Sequence, residues 1–200
     1  MVYKRLKSYV DILEEITLRK SEIDENQCEI LVKNISYNSK DVSPQSIFIC
    51  KGENFKDEYL TEAIGKGAIC YISTKYMTDK IPYIVVSDIR EALNLVSSHM
   101  YDHIWNERLT EIGITGTKGK STTTYLLKSI LDCAGKGKTA VISGICNYNG
   151  KSLEKANLTT PETLELHKLL SESVDNGCVT LVMEVSSQGL KYKRVEDIKY

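Results

Sequence analysis

The stretch Gly113–Thr122, which reads GITGTKGKST, decides how this sequence folds. The apolar segment LTEIGIT (109–115) leads into it, and KSTTTYLLKSILDCAG (120–135), which has helical character, follows. A glycine-rich turn between a strand and a helix lets backbone N–H groups and a helix N-terminus surround a phosphate. The sequence therefore predicts a strand, a phosphate-binding turn and a helix at this point.

The side chains of this turn suit a nucleotide. Gly116 and Gly119 permit the positive φ angles and the close backbone approach that a phosphate cradle requires. Lys120 could reach the β- and γ-phosphates, and Ser121 or Thr122 could offer a hydroxyl to Mg²⁺. The general P-loop pattern matches only at its final Gly-Lys-Ser. The alternative, a glycine-rich turn carrying an exposed lysine, remains open.

Downstream of the turn, strand and helix continue to alternate. Strand-like segments at 138–143 and 179–185 flank a helical segment at 161–177, a pattern typical of βαβ units and a parallel sheet. The last strand, VTLVMEV, is apolar except for Glu184, as expected of a strand covered on both faces. Open α/β sheets bind ligands at the carboxyl ends of their strands, so Glu184 is a candidate site residue.

Upstream of the turn, the pattern predicts a separate small domain that mixes helices and strands. We therefore predict an α/β protein, with a small mixed α/β domain at 1–106 and a P-loop parallel-sheet domain at 107–200. The predicted upstream elements are a helix from Leu6 to Ile16, strands at 33–39, 46–52, 68–73 and 83–87, a helix that begins at 57 and ends at Gly65 or Gly67, and a helix at 88–105 with Asp88 as its N-cap.

The composition excludes several classes of protein. Lys plus Arg number 26 against 27 Asp plus Glu, giving a net charge of -1, which leaves no surplus of positive charge for a dedicated nucleic-acid binder. Hydrophobic residues make up 42% of the chain and are spread along it, which excludes a disordered protein. Residues 1–106 carry a net charge of -3 and residues 107–200 of +2, so the second half suits a bound polyanion slightly better.

The cysteines and the N-terminus point to the cytoplasm. Six cysteines include no C-x-x-C pair, and most lie in apolar runs, so we expect reduced, buried thiols. The charged N-terminus lacks the apolar core of a signal peptide, and no segment approaches the roughly 20 apolar residues of a membrane span. His99 and His103 have a spacing that can bind a metal, but with no third ligand nearby we expect an exposed helix end.

Three further motifs accompany the turn: TTPE at 159–162, EVSSQGL at 184–190 followed by Arg194-Val195, and YNSK at 37–40. The form G-x-T-G-T-x-G-K-[ST]-T resembles the ATP loop of the Mur ligase family, which joins amino acids to carboxylates. With the other motifs, the chain resembles the UDP-N-acetylmuramoyl-tripeptide synthetase branch, which adds the third residue of the peptidoglycan stem peptide.

The resemblance implies two cofactors, ATP and Mg²⁺. It gives Lys120 and Glu184 catalytic roles and makes Ser121 and Glu184 the metal ligands. Lys118 stands where many relatives have Asn. The implied ATP contacts are Gly116, Thr117, Lys118, Gly119, Lys120, Ser121 and Thr122.

The resemblance also implies a substrate site. Asn38-Ser39-Lys40 replaces the D-S-R segment of the branch, and Glu53-Asn54-Phe55 departs from its usual H-Q-x loop. Gln188 stands where the branch usually has His, and Tyr192 where Gln is often found. From its residues alone, TTPE would start a helix, with Thr160 as N-cap. The implied contacts are Tyr37 and Ser39 for UDP, and Thr159, Thr160, Ser186, Tyr192 and Arg194 for the muramoyl-dipeptide.

The implied reaction forms an acyl phosphate on UDP-N-acetylmuramoyl-L-alanyl-D-glutamate, and the amine of a free amino acid then displaces phosphate. Neither nucleic acid nor a membrane is an expected partner, and we expect a monomer. Family members are about twice this length, so the C-terminal domain for the amino acid is absent, and we expect no turnover by these 200 residues alone. Two alternatives remain: a Mur-ligase-like paralogue with another acceptor, and a non-catalytic P-loop nucleotide-binding module.

Overall fold

A computed structural model describes residues 3–52, 54–135 and 137–200. The chain divides into two compact units, the first ending at Met100 and the second running Tyr101–Tyr200. Within the described ranges, no helix has the length and apolar character needed to cross a membrane. All six cysteines are free thiols; Cys133 is exposed, and burial raises the pKa of Cys70 to about 12.

The first unit is built on a five-stranded sheet in the order β2-β7-β6-β5-β4. The strands β4 to β7 pair in parallel, β2 is antiparallel to β7, and β1 pairs separately with β3. Its strands are β1 (Lys4–Arg5), β2 (Thr17–Lys20), β3 (Leu31–Val32), β4 (Asn34–Ser36), β5 (Ser46–Ile49), β6 (Ala68–Ser73) and β7 (Tyr83–Val86), and its helices are α1 (Leu6–Ile12), α2 (Glu25–Cys28), α3 (Asp57–Gly65) and α4 (Ile89–Tyr101).

The central strands of this sheet are covered on both faces. Every residue of β5 and of β7 is buried, as expected of parallel strands flanked by helices. The helix α3 ends at Gly65, as predicted, and packs Leu60 and Ala63 into a core that includes Phe48 and Tyr71. The predicted N-cap of α4 is confirmed, because Asp88 Oδ1 accepts a hydrogen bond from the Arg90 backbone N–H at 2.8 Å.

The predicted N-terminal helix is too long at its C-terminal end. The helix α1 stops at Ile12, and a 3₁₀ turn, Glu14–Ile16, leads into β2. The backbone there pairs with β7 instead of continuing a helix: the Ser87 N–H donates to the Ile16 carbonyl at 2.9 Å. The helical spacing of apolar residues continues to Ile16, whereas the helix itself ends at Ile12 because the chain then pairs with the sheet.

The second unit has a five-stranded sheet in the order β11-β10-β9-β12-β8. The strand β12 lies between β8 and β9 and is parallel to both, while β10 and β11 extend the sheet as an antiparallel hairpin. The carboxyl ends of β8, β9 and β12 therefore meet at one edge. The elements are β8 (Thr110–Ile114), β9 (Lys138–Ile142), β10 (Cys146–Tyr148), β11 (Leu153–Lys155) and β12 (Cys178–Glu184), with helices α5 (Lys120–Cys133), α6 (Thr163–Asp175) and α7 (Ser187–Lys191).

The start of α6 corrects one prediction. Thr160 is not the N-cap, because the helix begins at Thr163 and its N-cap position is Glu162. The Thr160 hydroxyl instead donates to the Glu184 carbonyl at 3.0 Å. The local pattern predicts that the Thr160 side chain caps the helix, but in the structure this side chain hydrogen-bonds to the end of β12 instead.

The predicted helix at 88–105 also ends early, at Tyr101. Asp102 and His103 adopt left-handed φ angles of 56° and 50°, which end the helix. The fully buried Trp105 follows in a 3₁₀ turn, with its ring 4.7 Å from that of His167 on α6. His103 therefore belongs to the packing of this turn and does not extend the helix that carries His99.

Tyr71 gives a test of how the first unit is held together. Its hydroxyl accepts from the backbone N–H groups of Met77 and Thr78, both at 3.0 Å, and donates to the Thr78 carbonyl at 2.9 Å. Tyr71→Phe should lower the free energy of unfolding by about 1–2 kcal/mol, because these bonds are lost. Urea unfolding followed by circular dichroism measures the change.

Tyr83→Phe is the matched control, since this buried neighbour of Tyr71 is outside that hydrogen-bonded set. We expect a change below about 0.5 kcal/mol for it. Equal effects of the two substitutions would contradict the role of the Tyr71 hydroxyl.

Candidate functional site

The predicted phosphate turn joins the end of β8 to the start of α5. Gly119 occupies the N-cap position of α5 with a φ of 80°, and Gly116 has a φ of 152°. The backbone between Thr115 and Gly119 is exposed, whereas Lys120 is half-buried. The Lys120 ammonium donates to the Gly116 carbonyl at 2.7 Å, so its charge lies across the turn.

This turn can hold an anion for reasons of backbone geometry and charge. The first N–H groups of a helix have no partner within the helix, and the helix dipole places partial positive charge there. The helix α5 has 14 residues, and the buried Thr124 fixes its first turn by donating to the Lys120 carbonyl at 2.9 Å. The exposed turn and the Lys120 ammonium therefore fit a polyphosphate.

Glu184 lies beside this turn because β12 pairs directly with β8. Its register partner is Ile114, the last residue of β8. The residue is only 2% exposed, and its Oε1 accepts from the Gly144 N–H at 3.1 Å. A carboxylate on β12 and the Ser121 hydroxyl on α5 are hard oxygen donors, the type that Mg²⁺ prefers. The residues present thus fit the metal that the resemblance implies.

A polar cluster next to Glu184 was not predicted from the sequence. The Tyr125 hydroxyl on α5 lies 2.7 Å from Cys146 Sγ and 3.1 Å from Ser143 Oγ. Burial raises the pKa of Tyr125, and its hydrogen bond with Cys146 and the nearby Glu184 charge add to the rise. These side chains fasten α5 to the loop after β9, which also carries Gly144. Only the chain's path brings them together, so no motif could have revealed them.

The predicted muramoyl-dipeptide residues gather at the end of β12. Thr160, fully buried, donates to the Glu184 carbonyl and accepts from the Ser186 N–H at 2.9 Å. Ser186 is the N-cap of α7, where its hydroxyl accepts from the Gly189 N–H at 3.0 Å. Thr159 is half-buried, with its hydroxyl close to Gly144. Among these residues, Thr159 and Ser186 keep accessible surface for a ligand.

Arg194 is largely committed to the protein. It is 8% exposed, and its guanidinium donates to the Thr160 carbonyl at 3.1 Å and pairs with Glu162 at 2.5 Å. The half-buried Tyr192 ring lies 5.5 Å from the Arg194 guanidinium carbon. Arg194 therefore holds the segment from Thr160 to Glu162 against the end of β12.

The first unit has an open cavity of about 480 Å³ around the second group of predicted residues. Tyr37 and Ser39 both line it, Ser39 being 6% exposed. The turn between them is fixed by Asn38, whose side-chain oxygen accepts from the Lys40 N–H at 3.1 Å. Among the residues that the structure describes, the lining comprises Tyr37, Asn38, Ser39, Lys40, Lys51, Gly52, Asn54, Phe55, Tyr59 and Glu62.

Several lining residues were not singled out from the sequence. The Lys51 ammonium lies 4.5 Å from the centre of the Tyr37 ring, a cation–π contact. Phe55 and Tyr59 form an edge-to-face pair with ring centres 5.9 Å apart. Aromatic faces and ammonium groups together suit a base linked to phosphates. Of the loop Glu53-Asn54-Phe55, which differs from the usual H-Q-x loop of the branch, Asn54 and Phe55 line the cavity. Glu53 lies outside the described residues.

The structure thus gathers the predicted residues into two groups, one in each unit. The phosphate turn, Glu184, Thr160, Ser186 and Arg194 belong to the second unit, while Tyr37 and Ser39 belong to the first. Gln188 is exposed on α7. Over the described ranges, no group of three or more His, Cys, Asp and Glu side chains is arranged to hold a metal ion.

Comparison with known proteins finds similarity to Mur ligases. Residues 114–200 match the family model of the Mur ligase middle domain. The chain is 38% identical over 200 residues to UDP-N-acetylmuramyl-tripeptide synthetase from Lactobacillus delbrueckii subsp. bulgaricus, covering 98% of this chain and 39% of that protein. It is 42% identical over 172 residues to UDP-N-acetylmuramoyl-L-alanyl-D-glutamate--L-lysine ligase from Enterococcus faecalis, covering 82% and 32%. The chain therefore spans about two fifths of the first relative's length and a smaller share of the second's.

Solved structures show the same fold. A UDP-N-acetylmuramoyl-L-alanyl-D-glutamate--2,6-diaminopimelate ligase superposes with a TM-score of 0.74 at 20% identity, covering 98% of this chain and 38% of the other. MurF ligase from Thermotoga maritima, in complex with ADP, superposes with a TM-score of 0.56 at 22% identity, covering 84% and 35%. At these identities the likeness establishes the α/β fold with its parallel strands.

Gly189 tests the packing at the end of β12. A β-carbon there would lie 2.8 Å from Cγ2 of the buried Thr160, a distance that real contacts do not reach. Gly189→Ala should therefore displace Thr160 and lower the stability of the second unit by about 1–3 kcal/mol. Trp105, the single tryptophan of the chain, reports unfolding of this unit by fluorescence.

The control is Ser187→Ala, an exposed position on the same helix, where we expect a change within about 0.5 kcal/mol. A Gly189→Ala variant as stable as the parent chain would refute the tight contact with Thr160.

Proposed function

The chain belongs to the Mur ligase family, and from this we propose that it carries the ATP-binding and UDP-sugar-binding parts of a peptidoglycan ligase. The proposed reaction adds the third amino acid to UDP-N-acetylmuramoyl-L-alanyl-D-glutamate. Relatives with 38% and 42% identity carry names for this type of ligase, which supports the proposal.

One observation carries the nucleotide part of the proposal: an exposed glycine turn with the Lys120 ammonium across it lies beside the buried Glu184 carboxylate. A triphosphate needs positive charge and backbone donors, and its metal needs oxygen ligands. The pairing of β8 with β12 supplies both at one sheet edge. A structural relative was solved with ADP bound, which supports a nucleotide here.

The residues have separable roles in the proposed chemistry. A substrate carboxylate oxygen attacks the γ-phosphorus of ATP, ADP leaves, and the amine of the amino acid then displaces phosphate and loses a proton to form the amide. Lys120 would stabilise the negative charge that develops on the phosphoryl oxygens. Ser121 and Glu184 would hold Mg²⁺, which neutralises phosphate charge when bound. Gly116 to Thr122 would orient the triphosphate.

The substrate part of the proposal rests on the cavity of the first unit and on the end of β12. The aromatic and cationic lining around Tyr37 and Lys51 suits uridine and its diphosphate. Thr159 and Ser186, with Tyr192 nearby, would contact the muramoyl-dipeptide. Thr160 and Arg194 would act mainly by holding that segment, since both are buried and hydrogen-bonded within the protein.

Lys120→Met tests the nucleotide site. Loss of the charged hydrogen bonds to phosphate should weaken MgATP binding about ten- to hundredfold, as measured by isothermal titration calorimetry. Lys168→Met is the matched control, because Lys168 is an exposed lysine on α6, and its affinity should equal that of the parent chain. Equal affinities for all three proteins would exclude a phosphate contact by Lys120.

UDP-N-acetylmuramoyl-L-alanyl-D-glutamate tests the substrate site. The chain should bind it, and Tyr37→Ala should weaken binding about tenfold through loss of aromatic contact, whereas Tyr3→Ala, at an exposed tyrosine, should not. If the chain binds ATP but not the UDP sugar, the proposed acceptor is wrong, and a Mur-ligase-like paralogue with another acceptor is favoured. Nucleotide binding unchanged by removal of residues 1–100, which leaves the second unit whole, also without UDP-sugar binding, would favour a nucleotide-binding module.

A further inference from the structure

Three residues of the first unit form a connected set that we call the Ser39 network: Ser39, Glu62 and Lys66. The Ser39 hydroxyl donates to Glu62 Oε2 at 2.7 Å, and the Lys66 ammonium donates to Glu62 Oε1 at 2.7 Å. Lys66 also donates to the carbonyls of Ser39 at 3.0 Å and Lys40 at 3.4 Å. One carboxylate on α3 and the ammonium of its C-cap residue therefore fix both the side chain of Ser39 and the backbone of its turn.

This network determines what the Ser39 hydroxyl can offer a ligand. A hydroxyl has one proton to donate and two lone pairs to accept with. The hydrogen bonds from Lys66 and from Ser39 hold the pKa of Glu62 below its usual value, so its carboxylate is ionised near neutral pH. An ionised carboxylate only accepts, and the Ser39 proton is therefore used within the protein. Toward the cavity, Ser39 is left as a hydrogen-bond acceptor.

The charges around the cavity lead to the same result. Glu62 lines the cavity beside Ser39. Lys66 pairs with one of its carboxylate oxygens, and Ser39 contacts the other, which opposes the close approach of phosphoryl oxygens at Ser39. The Lys51 ammonium belongs to the part of the lining at the Tyr37 ring. A diphosphate is therefore favoured near Lys51, and a neutral donor group of the ligand is favoured at Ser39.

We propose that Glu62, held by Lys66, is a positioning residue that makes Ser39 a hydrogen-bond acceptor for an N–H or O–H group of the bound uridine. Ser39 thus recognises the uracil imide or a ribose hydroxyl, and it does not bind the diphosphate. The inference rests on the proposed function, in which this cavity holds a UDP-linked substrate. It assigns roles to two residues, Glu62 and Lys66, that lie outside every motif of the sequence.

The test compares three ligands, UDP, 3-methyl-UDP and 2′,3′-dideoxy-UDP, in calorimetric titrations of the parent chain. An analogue that lacks the N–H or O–H group whose hydrogen bond Ser39 accepts should bind about five- to tenfold more weakly than UDP. A loss with the methylated ligand assigns the uracil imide, and a loss with the dideoxy ligand assigns the ribose. Unchanged binding of both analogues would overturn the inference.

Substitutions then link the loss to the network. Ser39→Ala should bind UDP about five- to tenfold more weakly and should no longer distinguish UDP from the sensitive analogue. Glu62→Gln should reduce this discrimination, because its amide can donate to Ser39 Oγ, which occupies one lone pair and leaves the hydroxyl proton free to point into the cavity. Glu58→Gln, at an exposed glutamate of the same helix, should behave as the parent chain does.

The outcomes distinguish a failure of the proposed substrate site from a failure of the role proposed for the Ser39 network. If the parent chain binds no UDP, the proposed substrate site itself fails, and the inference falls with it. If the parent chain binds UDP but Ser39→Ala or Glu62→Gln keeps the full discrimination between UDP and its analogues, only the role of the Ser39 network is refuted. Because Glu62→Gln preserves side-chain size, the test remains decisive if Ser39→Ala folds poorly.

Discussion

The parallel pairing of β12 with β8 is the interaction on which the proposed nucleotide site depends. It places Glu184 opposite Ile114, where the phosphate turn begins. Since β12 also pairs with β9, the loop that carries Gly144 reaches the same edge and donates to the Glu184 carboxylate. Without this strand order, the glycine turn would still exist, but it would have no carboxylate beside it.

The segment after β12 shows how buried hydrogen bonds preserve this arrangement. The Thr160 hydroxyl joins the Glu184 carbonyl to the Ser186 N–H, and Arg194 holds the Thr160 carbonyl while pairing with Glu162. Breaking one partner of such a set leaves the others buried and unsatisfied, which costs more than the bond itself contributes. Several residues of the substrate motifs thus contribute by maintaining the shape of the edge.

The first unit uses charge in a comparable way. Glu62 on α3 and Lys66, the C-cap residue of this helix, lie four positions apart. Together they hold the turn of Ser39, which lies more than twenty residues earlier in the chain. An ion pair on an exposed helix face stabilises a protein little. Its importance here is geometric, because it controls which hydrogen-bonding group of the cavity faces a ligand.

Most of the fold could be predicted because its signals are local. Glycine spacing, apolar runs and the Asp88 cap depend on neighbours in the sequence, and they located the phosphate turn, the central strands and most helices. Predictions were wrong where tertiary contacts competed, as at Thr160, at the end of α1 and at Tyr101. No strand was predicted for the hairpin of β10 and β11, because its short strands are stabilised by pairing with β9 and not by their own composition.

By itself, the sequence determined the α/β class, the glycine turn with Lys120 and the motifs that indicate a Mur ligase. Only the tertiary structure decided that Glu184 lies beside the turn, that Thr160 and Arg194 are committed to hydrogen bonds within the protein, and that Glu62 and Lys66 control Ser39. The physical reason is that these contacts join residues between 23 and 70 positions apart. Strand order and helix packing set such distances, and no local pattern of residues encodes them.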